Sequence, residues 1–170
     1  MKITVSDIER EGLILDIQEP SLTKASIKTV GPVEAHLEIH RYEEEVSIKG
    51  GIKGHVVLQC SRCLIDFQHD IDINVDLLYE PLPAISEEES YEIGRDEAEI
   101  AFYKDDELDI TEMITEQILL TIPMKPLCDE QCKGLCPYCG ADLNLQSCDC
   151  GKQYIDPRLA KLKTLLERKE

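Results

Sequence analysis

Val33-Glu34-Ala35-His36-Leu37-Glu38-Ile39-His40 decides the fold class: apolar and polar residues alternate without a break. Strict period-two alternation predicts a strand with one face buried and the other in water, typical of an antiparallel sheet. Downstream, Ile71, Ile73, Val75 and Leu77 alternate with Asp70, Asp72, Asn74 and Asp76 in the same way. Between these runs, Val46 to Leu58 reads as a further strand, with Gly50, Gly51 and Gly54 marking a bend or bulge. Leu13 to Ile17 is a weaker strand candidate.

The alternation stops at Glu80. Pro81, Pro83 and the run Glu87, Glu88, Glu89 predict an acidic loop over 80–107, interrupted by a short strand at Glu99–Tyr103. Asp109 then reads as a helix N-cap with Glu112 as its capping-box partner. Ile110, Met113, Ile114 and Ile118 share one face of a helix over 109–121 and belong to the core, and Pro123 and Pro126 end it. Near the C-terminus, Asp156 as N-cap, Pro157, Leu159, Leu162, Leu165 and Leu166 predict a second helix, made basic by Arg158, Lys161, Lys163, Arg168 and Lys169. The expected organisation is a β-rich body over 1–125 and a cysteine-rich tail with its helix over 126–170. The fold class is α+β: an antiparallel sheet or partly closed barrel, one helix, a cysteine-rich tail and a C-terminal helix.

The chain has 170 residues, enough to bury a core without covalent staples, yet it carries eight cysteines. No run of about 18 apolar residues is present to span a bilayer. The start of the chain does not read as a secretory signal, so a cytoplasmic location is expected. There, clustered cysteines point to metal or redox chemistry rather than disulfides.

The spacing is Cys60-x2-Cys63, then Cys128-x3-Cys132-x3-Cys136-x2-Cys139-x8-Cys148-x-Cys150. Thiolates at such short spacing reach two corners of a zinc tetrahedron from one tight turn. In Cys136-Pro137-Tyr138-Cys139-Gly140 the glycine permits a turn that aims amide groups at the sulfurs, and Cys60-Ser61-Arg62-Cys63 falls at a hairpin tip between two strands. Eight thiols divide into two sites. The preferred pairing is Cys60, Cys63, Cys128 and Cys132 in one and Cys136, Cys139, Cys148 and Cys150 in the other; spacing alone leaves permutations open. An iron–sulfur cluster is the alternative for four cysteines.

Composition weighs against several other functions. The net charge is −17, and residues 81–120 alone contribute −11, so broad binding to phosphate backbones is disfavoured. No glycine-rich phosphate loop is present, and nothing pairs two carboxylates for acid–base work. All-cysteine shells are closed, unlike the open shells of zinc hydrolases. His36 and His40 fall on a polar strand face; His55 and His69 flank the first cysteine pair, as solvated residues or alternative ligands. The chain is read as non-enzymatic, without a small-molecule substrate. A thiol-redox role for Cys60 and Cys63 is a rival reading, and it calls for a helix N-terminus where a strand is expected. A zinc-ribbon adaptor in another complex is a second.

Cys60-Ser61-Arg62-Cys63-Leu64, Gly134-Leu135-Cys136-Pro137-Tyr138-Cys139-Gly140 and Asp156-Pro157-Arg158-Leu159-Ala160-Lys161-Leu162, in that order, resemble the YceD family, the large ribosomal RNA subunit accumulation proteins of bacteria and plastids. The resemblance covers nearly the whole chain. It implies a role in accumulation or processing of the large-subunit (23S) ribosomal RNA, within large-subunit assembly. Implied partners are ribosomal proteins or large-subunit assembly intermediates, with a local contact to rRNA. Some members of the family lack most of the tail cysteines while keeping the first pair, so the tail site is not something that role must require.

Overall fold

In the computed structural model, residues 1–19, 28–82 and 100–150 are described. The run that opens the argument forms β4 (Val33–Tyr42), with Val33, Ala35, Leu37 and Ile39 buried between exposed neighbours. Around it lie β1 (Lys2–Thr4), β2 (Leu13–Glu19), β3 (Lys28–Thr29), β5 (Glu45–Gln59), β6 (Asp66–Pro81), β7 (Ile100–Tyr103), β8 (Glu107–Asp109) and α1 (Ile110–Thr121). A six-stranded sheet runs β2-β4-β5-β6-β7, with β3 pairing β5 off that path, and β1 pairs β8 in a separate two-stranded sheet. The six-stranded sheet is open among the described residues, so of the two expected forms the sheet stands and the partly closed barrel does not. β7 joins β6 in parallel, an arrangement strand alternation does not foresee.

β4 and β5 pair in one uninterrupted register from Tyr42↔Glu45 to Glu34↔Lys53. Gly50 and Gly51 therefore make no bulge in this pairing, so of the expected bend or bulge the bulge does not stand there. Gly50 pairs with Leu37 on the inward face, where Val46, Ile48, Ile52 and Val56 are also buried. At Gly50 φ is +153°, and a Cβ would overlap the carbonyl oxygen of His36. Glycine stands there because the neighbouring backbone approaches too closely for any side chain.

Helix α1 begins where the capping argument places it. The Asp109 carboxylate accepts from the Glu112 N–H at 3.1 Å, satisfying a donor that has no partner within the helix. Ile110, Met113, Ile114 and Ile118 are buried in one cluster with the inward residues of β4, β5 and β6. The outward sheet face is polar and paired across strands: His36 with Asp16 at 2.6 Å, Lys49 with Asp76 at 3.2 Å, Lys53 with Asp72 at 3.7 Å and His55 with Asp70 at 2.9 Å. Among the described residues, no helix is long and apolar enough to cross a membrane.

The chain resolves into two compact units, Met1–Leu58 with Phe67–Met124, and Gln59–Asp66 with Lys125–Glu170. The apolar core belongs to the first. The hairpin tip carrying Cys60 and Cys63 belongs to the second, together with the other six cysteines. The glutamates 87–89 and the helix expected from Asp156 lie outside the described residues.

Candidate metal centres

The first group is assembled from two distant segments. At the hairpin tip, the Cys60 N–H donates to the Ile65 carbonyl at 2.9 Å and the Leu64 N–H to the Cys60 carbonyl at 3.0 Å. Leu64 closes the turn at φ +62°. The second segment arrives through Pro126, whose carbonyl accepts from the Ser61 N–H at 2.8 Å. Asp129 then shapes the Cys128–Cys132 loop: its carboxylate accepts from the Gln131 N–H at 2.7 Å and its carbonyl from the Cys132 N–H at 3.0 Å.

Arg62 locks the two segments together. Its Nη1 donates to the carbonyls of Glu130 at 3.0 Å and Cys132 at 2.8 Å, and its own carbonyl accepts from the Leu135 N–H at 3.1 Å. Gly134 makes that approach feasible. It sits at φ +73°, and a Cβ there would lie 2.9 Å from the Arg62 carbonyl oxygen.

The result is a compact sulfur cage. Cys60 Sγ and Cys132 Sγ are 3.8 Å apart, and Cys63 Sγ and Cys128 Sγ 3.5 Å. All four sulfurs lie within 4.8 Å of one another. A tetrahedron built on metal–sulfur bonds of about 2.3 Å has edges of about 3.8 Å, so the cage has the size of a single four-coordinate ion. Cys60, Cys63 and Cys132 are buried and Cys128 is half-buried.

The second group is local. Cys136, Cys139, Cys148 and Cys150 also place their sulfurs within 4.8 Å of one another. The Gly140 N–H donates to the Cys136 carbonyl at 2.9 Å, closing the knuckle, with Gly140 at φ +72°. The Cys136 N–H donates to the Ala141 carbonyl at 2.8 Å. Cys136 is buried, Cys148 and Cys150 are half-buried, and Cys139 is exposed.

Electrostatics inside each cage favour a cation. Burial pushes the Cys60 thiol up, but backbone hydrogen bonds from Cys128, Cys63 and Arg62 outweigh it and bring the group to about 6. Backbone hydrogen bonds from Cys139 and Tyr138 likewise hold Cys136 at about 6. At the other extreme, burial and hydrogen bonding among the sulfurs push Cys128 up to about 12. Cys150 also reaches about 12, through its bond with Cys139, burial and the charge of neighbouring sulfurs. Each cage thus releases one proton readily and holds another against accumulating negative charge. A bound cation relieves that repulsion and lets all four sulfurs ionise. The donor set fits a metal: four thiolates, no histidine and no carboxylate, the set taken by zinc or iron in tetrahedral sulfur sites.

The eight cysteines predicted from spacing are thus brought together in the two preferred fours. His55 bonds Asp70 instead and stands in neither group. Two residues escaped the spacing argument. Arg62 is one, since nothing in Cys-x2-Cys shows that its side chain braces the opposite segment. Asn144 is the other: its Nδ2 donates to Cys132 Sγ at 3.4 Å. Only its place in the stretch Asp142-Leu143-Asn144, inside a cysteine loop, marks it in the sequence.

Comparison with known proteins extends this picture. A family model described as large ribosomal RNA subunit accumulation protein YceD matches residues 48–166, a span that contains all eight cysteines. The protein YlbN of Bacillus subtilis (strain 168) is 32% identical over 155 residues, covering 91% of this chain and 86% of its own. An Arabidopsis thaliana protein named large ribosomal RNA subunit accumulation protein YCED homolog 1, chloroplastic, is 27% identical over 159 residues, covering 81% of this chain and 49% of its own. ML1660 of Mycobacterium leprae (strain TN) is 26% identical over 167 residues, covering 92% of this chain and 73% of its own. This chain therefore spans about half the length of the Arabidopsis relative. No solved structure matches.

Proposed function

This chain belongs to the YceD family, and from that premise we propose that it is a non-enzymatic, zinc-binding factor for accumulation of the large-subunit (23S) ribosomal RNA, acting in large-subunit assembly. The observation that carries the reading is the family match over residues 48–166, joined to the printed name of the Arabidopsis relative. The assigned metal is zinc. All four sulfurs of each group lie within 4.8 Å of one another, which suits one ion; bridged irons spread their cysteine sulfurs wider. In this reading Cys60, Cys63, Cys128 and Cys132 hold one zinc, and Cys136, Cys139, Cys148 and Cys150 the other. The metal supplies cross-linking rather than catalysis, because four thiolates leave no open position for a substrate.

The partners are ribosomal proteins or large-subunit assembly intermediates. Net charge −17 favours a basic protein over a bare phosphate backbone, with rRNA touched only locally. The rival redox reading draws on the acidified Cys60, but that sulfur belongs to a residue with 0% exposure, out of reach of a partner disulfide. A zinc-ribbon adaptor of another complex uses the same ligand chemistry and differs only in its partner.

The test is sedimentation of a lysate containing the protein, with metal content of the purified chain and rRNA levels in a strain lacking it. Co-migration with large-subunit precursors, two zincs per chain and loss of large-subunit rRNA are expected. Migration only at the top of the gradient with normal rRNA transfers the assignment to the adaptor. Free, reversibly oxidised Cys60 and Cys63 transfer it to redox chemistry.

A further inference from the structure

Asn144 lies in the loop between Cys139 and Cys148, yet its side chain serves the other group of cysteines. Its Nδ2 donates to Cys132 Sγ at 3.4 Å, and its Oδ1 accepts from the Lys133 N–H at 2.7 Å. Asp142 fixes this pose: its Oδ1 accepts from the Asn144 backbone N–H at 2.9 Å and from Nδ2 at 2.8 Å. The side-chain amide thus clasps Cys132 from both sides, at its sulfur and at the next peptide. Outer partners of this kind orient a metal ligand and tune its hold on the ion.

The loop around Asn144 is laid along the segment from Cys132 to Cys136. The Leu143 N–H donates to the Gly134 carbonyl at 2.9 Å, the Cys136 N–H to the Ala141 carbonyl at 2.8 Å, and Leu135 bridges Asp142 in antiparallel fashion. One short segment therefore carries a ligand of each group at its two ends. The loop that braces it begins and ends at ligands of the second group. That loop buries little of its own: Leu145 is 85% exposed. Its two ends, Cys139 and Cys148, meet in one group of sulfurs.

We propose that Asn144 is a positioning residue for the centre formed by Cys60, Cys63, Cys128 and Cys132, and that through it the second centre governs how firmly the first retains its metal. This inference rests on the reading that each group holds zinc.

The test uses the full chain loaded with zinc and challenged with excess chromophoric chelator, together with ¹¹³Cd spectra of the cadmium-substituted protein. Asn144→Leu is expected to speed release from the first centre by about tenfold or more. It is also expected to move that centre's ¹¹³Cd resonance and leave the other in place. Asn144→Asp keeps an acceptor for the Lys133 N–H but loses both Nδ2 bonds and sets a carboxylate against Asp142 and the Cys132 sulfur, so it should speed release at least as much and move the same resonance. Cys139→Ser with Cys148→Ser, which dismantles the second centre, should also speed release from the first. Adding Asn144→Leu to that background should change nothing further. Wild-type release rates and unmoved resonances in both Asn144 variants overturn the inference. So does an undiminished effect of Asn144→Leu without the second centre, because Asn144 then acts independently of it. A wild-type chain that retains no metal overturns the zinc reading itself, and this inference with it.

Discussion

The Arg62 guanidinium donates to the carbonyl of Cys132 at 2.8 Å, linking residues 70 apart in sequence and bracing one segment of the first sulfur cage against the other. A second bond from the same nitrogen reaches the Glu130 carbonyl. Hydrogen bonds from a charged donor contribute on the order of 1–3 kcal/mol each, toward the low end where water competes. Arg62→Ala is expected to hasten metal release and lower the melting temperature of the zinc-loaded chain. Calorimetry with and without chelator checks this. An Arg62→Ala chain that keeps its metal and its stability but loses rRNA accumulation would instead give Arg62 a direct contact with a partner.

Metal removal should act on one unit far more than on the other. The apolar cluster of strands and α1 contains no cysteine, whereas the segment from Cys128 to Cys150 has little apolar material to bury. By analogy with zinc-finger peptides, a zinc held at each site would contribute on the order of 10 kcal/mol to folding of its segment. Chelation should leave the far-UV signal of the sheet largely intact while residues 125–150 become open to limited proteolysis. A global, cooperative loss of sheet signal on chelation would contradict this.

Gly50→Ala places a methyl against the His36 carbonyl at a backbone angle that side chains rarely adopt. The expected cost is about 2–4 kcal/mol, read as a fall in the urea midpoint with the metal kept saturating. Gly51→Ala, whose Cβ meets the Ile73 carbonyl at an ordinary 3.6 Å, is the control and should be milder.

His36 tests the polar sheet face. The hydrogen bond that the ring donates to Asp16, then the charge of that carboxylate, raise the imidazole above its ordinary value of 6.5. The group is raised, so its contribution to stability is complete below the unfolded value and fades as pH climbs through the folded one. Both partners are largely exposed, so the effect on stability is small. An NMR titration should place His36 above 6.5 and Asp16→Asn should bring it back toward that value.

The sequence makes some of this structure plain and leaves the rest dark for physical reasons. Alternation exposed β4 and β6 because burial on one face of a strand imprints every second residue. Asp109 and Glu112 marked the start of α1 because a cap is a local bond. Short cysteine spacings foretold two cages because a tetrahedral shell constrains chain geometry. Alternation reports a buried face and not the neighbour in the sheet, so the parallel pairing of β6 with β7 was hidden. The three-residue pairing of β1 with β8 is too short to leave a period. Gly50 suggested a bulge because glycine in a strand has two explanations, an extra residue or a crowding backbone, and only the register separates them. The duties of Arg62 and Asn144 come from contacts made in space, beyond the reach of spacing.

The uneven cover over the eight sulfurs sets an order of surrender. Cys139 faces solvent while Cys60 is wholly enclosed. A competing thiol, a scavenging protein or an oxidant therefore meets Cys139 first, and reaches the cage around Cys60 later, through the half-buried Cys128. Were an ion held in each cage, the one beside Cys139 would be the first given up and the one beside Cys60 the last.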